Sequence, residues 1–255
     1  MFLNYKLQKT HRSFGNTTYT NTVGFGQTVS TNTFYFISDY ITGNLIMYND
    51  QWVYQTYATF PFSLSYMTGI GPYLYITFNN EVIKINESMA ILATYSYTGA
   101  WYRGIVYSNN FLYVASVTLK RVDVFDPINL IFQRSICTGT NNEWYSIAAY
   151  GNTLYVASYF QMMIYTNEVY AGTTYPASSN ICGTNVLESL LVDSFGVIAL
   201  SCSNYQLLAF SWNGQTLSSV SSISLIGIGG YSFQIGVDSN NRLILVGDQQ
   251  VSILY

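Results

Sequence analysis

Four short strands recurring at a near-constant interval predict an all-β chain, a six-bladed β-propeller of four-stranded antiparallel blades. The interval is the first observation. The anchor positions Phe34, Leu74, Leu112, Leu154, Val197 and Leu243 lie 40, 38, 42, 43 and 46 residues apart, the ~40–45-residue period of propeller blades. The second is composition: 25 Tyr against 4 Pro suits pleated, half-buried surfaces and leaves few interruptions to strand pairing. The third is polarity. Hydrophobic residues make up 49% and charged residues 8%, which excludes a disordered chain, since those are charged and poor in aromatics. A β-sandwich also consists of many short strands, but it does not impose a constant period.

Each copy begins with strand, Gly/Asn/Ser turn, strand, which reads as a hairpin. The clearest pair is Trp101 to Ser116 and Trp144 to Ser158, which share Trp-Tyr at the start and Leu-Tyr-Val-Ala-Ser at the end. A third copy runs from Ile235 to Val246, and weaker ones surround Phe34, Leu74 and Val197. A third strand follows each hairpin, at 45–48, 82–85, 122–125, 162–165, 207–210 and 251–255. A more polar fourth stretch, such as Trp52 to Tyr57, leads to the next copy. The sixth copy stops at Tyr255 without an outer strand, and Phe2 to Leu7 is the candidate to supply it. Such pairing covers an otherwise bare sheet edge. Residues 1–255 are thus expected to form a single propeller domain.

In blade three the run Gly104 to Ser116, followed by Lys120-Arg121-Val122-Asp123-Val124-Phe125-Asp126, resembles the NHL-repeat family of six-bladed propellers. Arg121 stands where that family's motif has its repeat arginine. Blade six keeps Val237 to Asn241 but has Gln before its third strand, and the other blades lack the arginine. The resemblance implies the fold and says little about activity.

Several functional classes are excluded. Nine Lys plus Arg against twelve Asp plus Glu give a net charge of −3, with no basic cluster to neutralise phosphates, so nucleic acid is not an expected partner. No apolar run approaches the ~20 residues of a membrane helix. Met1 to Lys9 lacks the apolar core of a signal peptide. His11, the one histidine, sits in a polar loop and is best read as solvated, because zinc and Ser-His-Asp chemistries centre on histidine. Gly227 to Gly230 reads as a connecting loop, with no helix after it to present amides to a phosphate.

Aligning the copies puts Phe25, Ser65, Tyr102, Tyr145, Glu188 and Phe233 in one ring around the central channel, and Gly26, Tyr66, Arg103, Ser146, Ser189 and Gln234 in the next. One carboxylate, Glu188, and one cation, Arg103, are present. Calcium takes six to eight oxygen ligands, so a lactonase-like calcium-dependent hydrolase is the alternative rather than the leading expectation. A Glu188–Arg103 contact or a solvated Glu188 accounts for the same residues. No cofactor or metal is expected. The aromatics are the unusual resource: Trp101, Tyr102, Trp144 and Tyr145 begin two neighbouring blades. They serve either as wedges between blades or as contacts for a ligand. With Arg103 and Glu188 they form the expected binding surface of a non-enzymatic module for a protein or glycan partner.

Cys182, in the connection into blade five, and Cys202, at the end of that blade's second strand, return to the same face of one blade and are expected to form a disulfide. Cys137 is then a free thiol, pairing of Cys137 with Cys182 being the rival. The bridge implies an oxidising, extracellular location, and three reduced cysteines a cytosolic one.

Overall fold

The computed structural model describes residues 25–39, 42–51, 53–61, 64, 66–136, 143–158, 162–173, 187–192, 197–202, 206–212, 217–224, 234–237, 243–247 and 250–254. Side chains are described within these ranges from 29 to 171 and at 189–192. All regular structure here is β. The first sheet is β1 (Phe25–Ser30), β2 (Tyr35–Asp39), β3 (Asn44–Tyr48) and β4 (Tyr54–Thr59); the second is β5 (Tyr66–Ile70), β6 (Tyr73–Phe78), β7 (Glu81–Asn86) and β8 (Ile91–Ser96). The third is β9 (Tyr102–Ser108), β10 (Phe111–Ser116), β11 (Arg121–Asp126) and β12 (Ile131–Ile136). The fourth is β13 (Ser146–Tyr150), β14 (Thr153–Ala157), β15 (Met162–Thr166) and β16 (Val169–Thr173). The fifth is β17 (Leu187–Val192), β18 (Val197–Cys202), β19 (Gln206–Trp212) and β20 (Leu217–Ser224); β21 (Gln234–Val237), β22 (Leu243–Gly247) and β23 (Gln250–Leu254) form a three-stranded sheet. Every sheet is an antiparallel meander in chain order.

Local sequence sets the hairpins. Ser108 pairs with Phe111 around Asn109 (φ 49°) and Asn110 (φ 66°), and Thr166 with Val169 around Asn167 (φ 50°) and Glu168 (φ 64°). Two left-handed central residues mark the primed turn that matches strand twist, and Asn tolerates that region best after Gly. Glu168 is the exception, since glutamate has no such ease.

In the first four sheets, where side chains are described, the second and third strands are buried on both faces. In β2, β3, β10 and β15 almost every residue is enclosed, which is why they read as continuous apolar runs rather than alternating ones. The core therefore lies in layers between sheets. One layer joins Phe36 and Leu45 of the first sheet to Leu74 and Ile83 of the second. Others join Tyr75 and Val82 to Ile105 and Leu112, and Val122 and Val124 to Ile147 and Val156. Each fully buried aliphatic side chain in these layers contributes about 1.5–3 kcal/mol.

The outer strands are bare edges, and each of the five carries the same device. A register shift falls between the third and fourth strands at Met47/Tyr48, Lys84/Ile85, Val124/Phe125, Ile164/Tyr165 and Ala209/Phe210. Such bulges twist an edge away from further pairing. β4, β8, β16 and β20 carry no charged residue and no proline, so the bulge supplies the protection that charge usually gives. An edge-to-face pair flanks it in three sheets: Tyr48–Tyr54, Phe125–Phe132 and Tyr165–Tyr170.

Innermost strands of successive sheets lie side by side: β1 against β5, β5 against β9, β9 against β13, β13 against β17 and β17 against β21, while β1 also approaches β21 and β22. The approach is closest at two glycines. A Cβ on Gly104 would come within 2.7 Å of the Ile147 nitrogen, and one on Gly69 within 2.0 Å of the Ser30 carbonyl oxygen.

Candidate functional site

The inner ends of β5, β9 and β13 bring Tyr66, Arg103 and Tyr145 together, with Trp101 beside them. Tyr66 opens β5, Arg103 is the second residue of β9, and Tyr145 immediately precedes β13. Polar stitches between sheets fix this end. The Thr77 hydroxyl donates to the Arg103 carbonyl, the Gly104 N–H donates to the Tyr145 carbonyl at 3.0 Å, and the Leu190 N–H donates to Ser146 Oγ at 3.1 Å.

The Arg103 guanidinium lies 5.0 Å from the Tyr145 ring centre, 5.3 Å from Tyr66 and 5.9 Å from Trp101. All three are within the ~6 Å over which a ring face attracts a cation. One Nη also donates to the Tyr66 hydroxyl at 3.4 Å, and Tyr145 donates to a Glu143 carboxylate oxygen at 2.7 Å. Among the described residues no carboxylate forms an ion pair with Arg103. Arg103 is half-buried and Trp101 is 41% exposed, so cation and indole together face solvent.

The other expected contacts face inward. Tyr102 is fully buried, and its hydroxyl donates to Asp123 at 2.7 Å. That carboxylate, itself fully buried, also accepts from Arg121 Nε at 2.7 Å and from Ser135 Oγ at 2.6 Å. Burial, and then the bond to Asp123, push the Tyr102 pKa far up, so this hydroxyl remains protonated. Arg121 and Asp123, the motif residues of blade three, thus act as an internal clasp. Trp144 is fully buried in the layer with Val122, Val124 and Leu154, and its Nε1–H has no partner among the described residues. Tyr145 is buried apart from its contact with the Arg103 site. The two tryptophans, matched in sequence, therefore differ in role: Trp144 is a wedge and Trp101 is surface.

The reason lies in one residue. Trp101 and Leu112 are 11 apart, whereas Trp144 and Leu154 are 10 apart. The extra residue is absorbed as a shift in β9, where Val114 faces Ile105 but Ser116 faces Tyr102; the β13–β14 pair is regular. The Tyr145 N–H consequently bonds within its own sheet to the Ala157 carbonyl, while the Tyr102 N–H turns to the Asn79 carbonyl of the preceding sheet. Trp101 precedes this turn and is left outside.

Glu188 lies in β17, at the inner edge of its sheet, with its side chain outside the described set. Cys202 ends β18, while Cys137 and Cys182 fall outside the described residues, as do His11, Gly227 to Gly230 and the segment Phe2 to Leu7. Among the described residues no three His, Cys, Asp or Glu are placed to hold a metal ion, and no helix is long and apolar enough to cross a membrane.

Comparison with solved structures gives a chain of the mitotic checkpoint complex at TM-score 0.65 and 12% identity, covering 87% of this chain and 71% of that one. The fold is a β-propeller. BamB from Moraxella catarrhalis is also similar, at TM-score 0.59 and 12% identity, covering 90% of this chain and 84% of that one. No protein-family model matches the sequence, and no curated protein matches it. At this identity the likeness is one of fold.

The unequal tryptophans give a test by stability. Trp144→Ala should cost about 3–5 kcal/mol, the range for emptying a large buried aromatic site. Trp101→Ala should stay within about 0.5 kcal/mol, as exposed substitutions do. Chemical denaturation of the two variants measures both.

Proposed function

We propose that this propeller is a non-enzymatic binding or scaffolding module, and that the inner-end surface of Trp101 and Arg103 engages a protein partner. The observation that carries this reading is an exposed indole beside a ring-held guanidinium that no described carboxylate neutralises. Tryptophan and arginine are the residue types that dominate interface energetics, and a guanidinium already oriented by three rings loses little freedom on meeting a partner's carboxylate. The chain from the mitotic checkpoint complex, solved as part of an assembly, fits a scaffolding role. The proposal includes an extracellular setting, for which the expected Cys182–Cys202 bridge is the support.

The same reading takes the ring as six-bladed and closed by Phe2 to Leu7 pairing beside β23. The approach of β1 to β21 and β22 supports it, as does the last sheet's having three strands among the described residues.

Two experiments test these points. Affinity capture from extracellular fluid of the source should retain a discrete partner on the wild-type chain. The Trp101→Ala/Arg103→Ala variant should hold it at least about thirtyfold less tightly, as loss of a ~2 kcal/mol hot spot implies, and calcium chelation should leave binding unchanged. Undiminished affinity in the variant contradicts the assignment. For closure, deletion of residues 1–9 should lower the melting temperature or promote aggregation, and an unaltered melting temperature contradicts it.

A further inference from the structure

At the hairpin end of the third and fourth sheets, opposite the Arg103 site, a cavity of about 180 Å³ opens between the two. Three hairpins surround it and are tied to one another. Ser108 Oγ and Asn109 Nδ2 both donate to the Gly151 carbonyl, at 3.1 and 3.4 Å, and the Asn167 N–H donates to the Asn152 carbonyl at 2.9 Å. Leu154, buried in the core, and the half-buried Phe111, over whose ring the Arg134 guanidinium lies at 4.6 Å, give the cavity an apolar wall.

Its one charged lining residue, Glu168, is neutralised. Arg134 donates to both carboxylate oxygens, one at 2.9 Å, and the Tyr113 hydroxyl donates at 2.8 Å. The Arg134 bond and then the Tyr113 bond hold the Glu168 pKa below the ordinary carboxylate range. This clasp joins the third sheet to the fourth and retains a glutamate at φ 64°, a conformation costly for a residue with a long side chain. The side-chain amides of Asn152 and Asn167 line the cavity from exposed hairpin positions, open to solvent and to a ligand.

We propose that this cavity is a binding site for one neutral sugar residue, separate from the partner surface at the opposite end. The chemistry selects this class. With Glu168 already paired, a charged ligand finds no counter-ion. Two open primary amides each present a donor and an acceptor, which matches adjacent hydroxyls that both donate and accept. The Phe111 and Leu154 wall suits the apolar C–H face of a pyranose. The volume is that of about six water molecules at ~30 Å³ each, and the cavity is open to solvent on one side, so it takes a compact group rather than an extended peptide.

The test uses the full chain with methyl glycosides of glucose, galactose, mannose, fucose and N-acetylglucosamine, followed by saturation-transfer NMR and titration. At least one should bind with millimolar affinity and shift the side-chain amide resonances of Asn152 and Asn167. Asn152→Ala and Asn167→Gly should each weaken it about tenfold, and Asn167→Gly keeps the left-handed turn intact. Trp101→Ala should leave sugar binding unchanged, which separates failure here from failure of the partner surface. Three results would overturn the proposal: no glycoside binding at concentrations up to about 50 mM, full affinity in the double asparagine variant, or shifts confined to residues away from these hairpins.

Discussion

Backbone meets backbone where the innermost strands of neighbouring sheets touch, and the arrangement of the chain follows from that contact. At Gly104 the approach leaves no room for a side chain, and at the same place the Gly104 N–H reaches across to the Tyr145 carbonyl. Sheets held this closely at their inner ends splay outward, so their middle strands are enclosed by neighbours on both faces while their outer strands are bare. The cost falls on the outer edges, where a repeated bulge replaces the lysines and prolines that usually blunt a strand.

The same contact places the functional groups. A residue at the inner end of one sheet is brought next to its counterparts on the sheets either side, so Arg103 gathers Tyr66 of the second sheet and Tyr145 at the start of the fourth, with Trp101 from its own segment. At the hairpin end, neighbouring sheets are joined by side chains as well as by backbone, the Asn32 N–H of the first sheet donating to the Gly71 carbonyl of the second at 3.1 Å. There Tyr113 and Arg134 of the third sheet meet Glu168 of the fourth, and Tyr75 and Lys84 of the second reach the Pro127 carbonyl of the third, at 2.6 and 3.2 Å. The two junctions share a plan, a tyrosine from the second strand reaching the outer hairpin of the next sheet. They differ in openness: Lys84 is buried, whereas the Glu168 junction leaves a cavity.

The period made much of this legible from sequence. Third strands expected at 45–48, 82–85, 122–125, 162–165 and 207–210 fall within β3, β7, β11, β15 and β19, because a strand enclosed on both faces is largely apolar, with charged residues such as Lys84 and Asp123 tolerated only where they find partners. The positions Gly26, Tyr66, Arg103, Ser146, Ser189 and Gln234 all fall within the first three residues of an innermost strand, since repeats that stack must begin alike. The tryptophans were harder. Similarity of Trp101 and Trp144 implied similar surroundings, yet a one-residue difference in spacing altered the local pairing. The Glu168 cavity left no mark, because its residues come from three separate hairpins, around positions 109, 152 and 167. Its one local trace was a glutamate in a turn position that normally takes Asn or Gly.

Native-state hydrogen exchange of the Gly104 amide tests most directly whether the third and fourth sheets are bonded backbone to backbone at their inner ends. The account predicts exchange only through global unfolding, as slow as that of Val114 in the enclosed middle strand of the same sheet. Exchange as fast as that of Asn110 at the hairpin tip would mean that the inner ends open independently, and would contradict it.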